Sequence, residues 1–463
     1  MKKRIVSLMM VAAMTLGLAL PASADGDVTL RFIDVSTSPA RQEYFETVFE
    51  NFKAETGITV EYEGVPWDNA ADKLTILGAG KDLPDVLTVH DAWMGQFTQA
   101  GWIIPLTDYY EEELKPYMNI ATQMGVDQQK NLYGEIYRIP DGLMNAGIFY
   151  RKDWVEEIGY EIPTGEDWTW EAVFELEKAL TDPEKNRYGA SFRGARGGFD
   201  VVQGMLNNMT GGRVYDEEGN CNYLTDECVE MFEKFCAIYL EGYAPKDSLN
   251  WGFTELVDNF VGGLTGTLMN NTDVVPTLLE KMDESQWGVL PYPTADDGYV
   301  YNSAGYSYAY AVSGHSEHPE ESKQLITYLC NAENNMEYCK IAGMVPIRND
   351  VEDDPMFGVD GPYGGFLVQL DYENLAFGTG YGAFDYTDMH QDMMHTEIQK
   401  YLLGQQSAKD ALFNVCEELQ ARMKQYLADN PDVTVEVPLY PTVEEATTEA
   451  ATEATTEAAT EKK

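Results

Sequence analysis

The chain has 463 residues, 44% of them hydrophobic, and sets 31 Lys and Arg against 78 Asp and Glu for a formal net charge of −47. A body this acidic repels nucleic acid and anionic lipid, so neither is expected as a partner. Lys2-Lys3-Arg4, the apolar run over 5–20 and Pro21-Ala22-Ser23-Ala24 form the three regions of a secretory signal peptide over 1–24. That run is too short to span a bilayer, so the mature chain is expected to begin near Asp25, outside the cytoplasm. No Cys near the cleavage site offers a lipid anchor.

Residues 28–35 (VTLRFIDV) read as a first strand. Pro39 opens an amphipathic helix with Phe45, Val48, Phe49 and Phe52 at helical spacing, and Gly57 closes it. Residues 58–62 alternate as a second strand, a helix over 70–77 follows, and the run VLTV over 86–89 reads as a buried third strand. A short helical pattern with Met94, Phe97 and Ala100 stops at Gly101. The order β-α-β-α-β predicts a parallel, doubly wound sheet, with ligands bound beyond the carboxyl ends of its strands. Ser36 and Thr37, Trp67 and Asp68, and Asp91 and Trp93 fall just past those three ends. Carboxylates beside flat apolar rings suit a sugar, whose hydroxyls need acceptors and whose C–H faces stack on aromatic rings. Each of these residues alone could equally be a cap or a surface aromatic.

Residues 191–199 (SFRGARGGF) place Arg193 and Arg196 on a Gly-rich stretch of a chain poor in Arg. Guanidinium forks bind vicinal hydroxyls or carboxylates in pairs, although structural carboxylates are equally good partners here. The loop FGTGYGAFDY over 377–386 carries Tyr381 and Phe384, rings that are costly to expose without purpose. Packing between lobes is the other reading of those rings. Helices are expected over 389–403 and 408–427. Over 446–461 the octet ATTEAATE occurs twice in tandem, and a segment of such composition is expected to be a disordered tail, 442–463. Of the six cysteines, Cys228 and Cys236 would sit about 12 Å apart on one helix, too far to bridge. Export permits disulfides among the rest, and buried free thiols are the favoured state.

Several phrases, in this order, resemble the sugar-binding family of extracellular solute-binding proteins that feed ABC importers. They are GKDLPDV and GWIIPLTD within 80–108, YGEIYRIP running on to FYRKD over 133–153, FRG over 192–194, FVGGLTGTLM over 260–269 and GMVPIR over 343–348. The resemblance implies an α/β fold of the periplasmic-binding-protein type II class, two doubly wound lobes joined by crossing hinge strands. It implies a first lobe from 25–145 and 305–345, and a second from 146–304 and 346–441, with the first crossing near 144–147. The ligand is then expected in the cleft, where Asn145, Gly305 and Tyr306 join the residues above. Many relatives place a stacking Trp shortly after the 260–269 phrase; here Asn270, Asn271 and Asp273 put hydrogen-bonding groups in its place.

The expected ligand is a neutral di- or oligosaccharide, delivered by a monomer to the membrane permease of an ABC importer. A uronate held by Arg193 and Arg196 is the alternative. An exported carbohydrate-active enzyme is the rival class, which needs two carboxylates flanking the scissile bond; nothing singles out such a pair. His390 and His395 lack the H-E-x-x-H spacing of a metalloprotease, and no cofactor motif is present, so neither metal nor cofactor is expected.

Overall fold

The computed structural model describes residues 28–302, 308–351, 354–371 and 374–441. The expected signal peptide over 1–24, Gly305, Tyr306 and the Thr/Glu/Ala tail lie outside the described residues, as do the side chains of Asp68 and Asn302.

The strands, in chain order, are β1 Thr29–Asp34, β2 Thr59–Gly64, β3 Val86–His90, β4 Arg138–Pro140, β5 Ala146–Arg151, β6 Tyr188–Ala190, β7 Thr265–Asn271, β8 Trp287–Leu290, β9 Val300–Asn302, β10 Tyr308–Val312 and β11 Leu375–Phe377. They form a five-stranded sheet, β2-β1-β3-β10-β4, a four-stranded sheet, β6-β7-β5-β8, and the pair β11-β9. The expected parallel β1, β2 and β3 are present. The sheets are nevertheless mixed, because β10 is antiparallel to β3 and β4, and β5 is antiparallel to β7 and β8. The register shows the reversal. β5, which follows β4 of the other sheet, starts opposite the last residues of β7 and β8, and β10 starts opposite the last residues of β3 and β4.

Local chemistry explains the elements. Helix Pro39–Thr56 begins where the Ser38 side chain accepts from Arg41 N–H and ends at Gly57, whose φ of 80° a side chain would strain. Its buried face carries Phe45, Val48, Phe49 and Phe52, and Phe45 and Phe49 meet Phe32 of β1 at ring-centroid distances of 4.9 and 5.2 Å. Burying each such ring contributes about 1.5–3 kcal/mol. The next helix is Trp67–Gly80, longer than the 70–77 expected, because Pro66 immediately precedes it and leaves Trp67 free to open the first turn. The π-turn Met389–Met393 and helix Met394–Leu402 fill the 389–403 span, and Ala408–Asp429 follows. All six cysteines are buried and free.

The passage from β4 to β5 takes residues 141–145 from one sheet to the other. Leu143 and Val345 exchange backbone hydrogen bonds of 2.8 and 2.9 Å there, so two crossing segments lie side by side. The cleft opens next to this crossing.

Candidate functional site

A cavity of about 140 Å³ lies between the two sheets. From the first sheet, β3 delivers His90 and Asp91, the last strand residue and the first beyond it. From the second come Asn145 and Ala146 at the start of β5 and Asn271 at the end of β7. Helix Gly198–Met209 adds Asp200 and Gln203, three residues apart and so on one face. Tyr381, Tyr386 and His390 close the cavity from the C-terminal segment, with Tyr292 and Tyr301 at its wall.

The walls are polar and underpartnered. Asn145 Oδ1, Tyr381 OH and His390 Nδ1 are buried atoms with no hydrogen-bond partner within the chain. An unmet buried polar group costs about 1–3 kcal/mol, so several at one cavity mark a place where another molecule supplies the partners. His90 Nδ1 accepts from Ala92 N–H at 3.2 Å and lies 3.0 Å from Asp91 Oδ1. Burial pushes the His90 imidazole below its usual pKa, against the pull of Asp91. His90 is thus the group nearest to Asp91 Oδ1 and pairs with it across the mouth of β3. Burial works to raise the Asp91 pKa, but His90, Arg138 and His390 outweigh it and hold the carboxyl well below its usual range. Asp200, 3.8 Å from His390 Nε2, is likewise held low, since His390, Arg193 and His90 overcome the desolvation. The cavity therefore presents ionised carboxylates beside imidazole, amide and phenol groups. Among the described residues no group of three or more His, Cys, Asp or Glu could hold a metal ion.

The expected residues divide. Asp91, Asn145, Asn271 and Tyr381 reach the cavity. A short distance off, Asp273 Oδ1, Arg193 Nε and Asn270 Nδ2 are also buried without partners. Burial raises Asp273 to about 6, against the opposing charges of Arg193 and Arg41. Ser36 bonds to Tyr308, and Thr37 faces Tyr62 at 3.2 Å on the side of β2. Three rings depart from the expectation of open stacking platforms. Trp93 is fully buried and stacks on Trp67 at 5.3 Å. Trp67 is further surrounded by His90, Tyr308 and His390. Phe384 packs against Tyr386 and Tyr426, its bulk taken up in the core away from the cavity. Arg196 stands over the Trp67 ring and donates to Gln391. Asp68 is the second residue of helix Trp67–Gly80.

Sequence reasoning missed His90, Asp200, Gln203, Tyr292, Tyr301, Tyr386 and His390 as cavity residues. His90 was within reach of the strand-end rule that selected Asp91. The others depend on which face of a later element turns toward β3, and no local pattern encodes that.

Residues 36–336, more than half of the chain, match the model of the bacterial extracellular solute-binding protein family. The chain belongs to that family. It is 24% identical over 325 residues to the mannitol-binding protein of Pseudomonas aeruginosa, covering 67% of this chain and 71% of that one. It is 23% identical over 380 residues to the arabinooligosaccharide-binding protein of Halalkalibacterium halodurans, covering 78% and 82%. Its fold superposes on maltose-bound MalE3 of T. maritima with a TM-score of 0.72 at 22% identity, covering 85% and 99%. The mixed α/β, two-sheet architecture is thus that of a solute-binding protein with its cavity between the lobes.

Proposed function

We propose that this protein captures a neutral sugar in the cavity between its sheets and delivers it, outside the cytoplasm, to the membrane permease of an ABC importer. The observation that carries this reading is the set of buried polar atoms left without hydrogen-bond partners at the cavity, Asn145 Oδ1, Tyr381 OH and His390 Nδ1, beside the Asp91 carboxylate. A sugar hydroxyl both donates and accepts, so one ring meets all three. The names of the mannitol- and arabinooligosaccharide-binding relatives agree with a polyhydroxylated ligand. A water needs roughly 10–15 Å³ of such space, so a cavity of about 140 Å³ takes on the order of ten heavy atoms, one sugar ring. In the expected di- or oligosaccharide, one unit is enclosed and further units lie toward the opening. In this reading the chain binds its ligand without turnover, in keeping with the binding-protein family it belongs to, and acts as a monomer.

Asp91 and Asp200 held ionised favour a neutral ligand, since like charges ~4 Å apart repel by about 4 kcal/mol near a protein surface. A uronate is favoured by Arg193, whose Nε has no partner within the chain, but that group stands outside the cavity lining. A thermal-shift panel of neutral sugars beside their uronic counterparts tests the choice. A ligand at 100 times its dissociation constant adds about 2.7 kcal/mol of stability, a readable shift. Melting shifts from uronates alone would overturn the neutral reading.

A further inference from the structure

The polar cavity stops short of the aromatic pair that a sugar would be expected to use. Trp67 stacks on Trp93 with an interplanar angle of 19°, while His90, at 4.6 Å, and His390, at 6.4 Å, stand beside its ring. The Arg196 guanidinium lies over Trp67, 4.9 Å from the ring centroid. Arg196 reaches there from the opposite lobe, on the turn that precedes helix Gly198–Met209. The turn is tight. Gly197 has a φ of 88°, and a Cβ on it would come within 2.5 Å of the Arg193 guanidinium carbon. The far end of Arg196 is held by Gln391, the neighbour of cavity residue His390. A planar cation over an indole face makes a favourable contact and also occupies the surface on which a sugar ring would lie.

We infer that Arg196 is a specificity-determining residue that caps the aromatic end of the cleft, denying a sugar the face of Trp67, so that only the unit in the one-ring polar cavity is firmly held. This rests on the sugar reading above. The cap discriminates by length: a second unit directed toward Trp67 gains nothing, because Arg196 already holds that surface. Arg193, three residues earlier, does something else, since it faces Asp200 and Asp273.

The test measures binding of three homologous series by calorimetry on the mature chain: glucose, maltose and maltotriose; arabinose, arabinobiose and arabinotriose; mannose, mannobiose and mannotriose. Wild type is expected to bind the members of its preferred series within about threefold of one another. Arg196→Ala is expected to tighten the di- and trisaccharide relative to the monosaccharide by about tenfold, roughly 1.4 kcal/mol. Trp67→Leu added to Arg196→Ala should remove that gain. Arg196→Gln, which keeps a donor for Gln391 but no planar cation, should show the same gain and guards against misfolding of the alanine variant. A wild type that already tightens with each added unit overturns the cap, as does an unchanged length profile in both Arg196 variants. No binding of any series to wild type or variants overturns the sugar reading instead.

Discussion

Glu177 offers a test in which the magnitude can be worked directly from burial. It lies on helix Trp170–Leu180 with 1% exposure, accepts one hydrogen bond from Thr267 of β7 at 2.9 Å, and leaves Oε2 without a partner. Burial, only partly offset by the Thr267 hydroxyl, raises its pKa from 4.5 to about 8. Between those values the folded chain holds a proton that the unfolded chain has released. Stability from this group is therefore full below pH 4.5, falls as pH rises, and is lost above about 8. Each pH unit costs about 1.4 kcal/mol, so roughly 3 kcal/mol is gone by pH 7 and roughly 4 by pH 8. Glu177→Gln keeps an acceptor for Thr267 and cannot ionise. Its unmet amide hydrogens impose a cost of about 1–3 kcal/mol that does not vary with pH. Urea unfolding of both proteins from about pH 5 to about pH 9 should give stabilities that move steadily in the variant's favour as pH rises. Two curves that run parallel across that range would falsify the claim that Glu177 is protonated in the fold.

Three other substitutions probe the frame and the site. Asp34 and Arg41 form a buried pair with bonds of 3.0 and 2.6 Å, so Asp34→Ala strands a buried guanidinium and should lower stability by about 3–5 kcal/mol in urea unfolding. Trp93→Ala empties a fully buried site behind Trp67 and should cost about 3–5 kcal/mol, read as a lower melting temperature without ligand. Asp91→Asn removes a charged acceptor from the cavity and should weaken sugar binding by about 1.5–3 kcal/mol in calorimetry; an unchanged dissociation constant would remove Asp91 from the site.

Where one stretch of sequence contains its own explanation, reading it is straightforward. Ser38, Pro39 and Gly57 set the ends of the first helix by hydrogen bonding and backbone geometry within a few residues, so the helix is legible from those positions. The β3 run is legible because residues 86–89 are all buried and a continuous apolar strand shows no alternation. Asp91 follows from β3, since the residue after a strand end in such a sheet stands at the cleft. The reversed strands β5 and β10 are not legible in the same way. Their direction depends on where the chain enters each sheet, which involves partners more than a hundred residues away in the case of β7 and β8.

The aromatic residues show why chemistry alone misplaces a ligand. Trp93 and Phe384 are correct residue types for stacking a sugar, yet their apolar area is also what folding buries most readily. Which use prevails is decided by distant neighbours: Trp67 for one ring, Tyr426 for the other. The same holds for the two arginines of 191–199. They share a motif and a residue type, but the positive φ at Gly197 closes the turn between them and the helix, so Arg193 is drawn toward Asp200 and Asp273 while Arg196 reaches Trp67. Residue type proposes the kinds of contact available. The turn assigns them, and in this cleft it leaves hydrogen-bonding groups facing the cavity and puts a guanidinium where a sugar ring would otherwise lie.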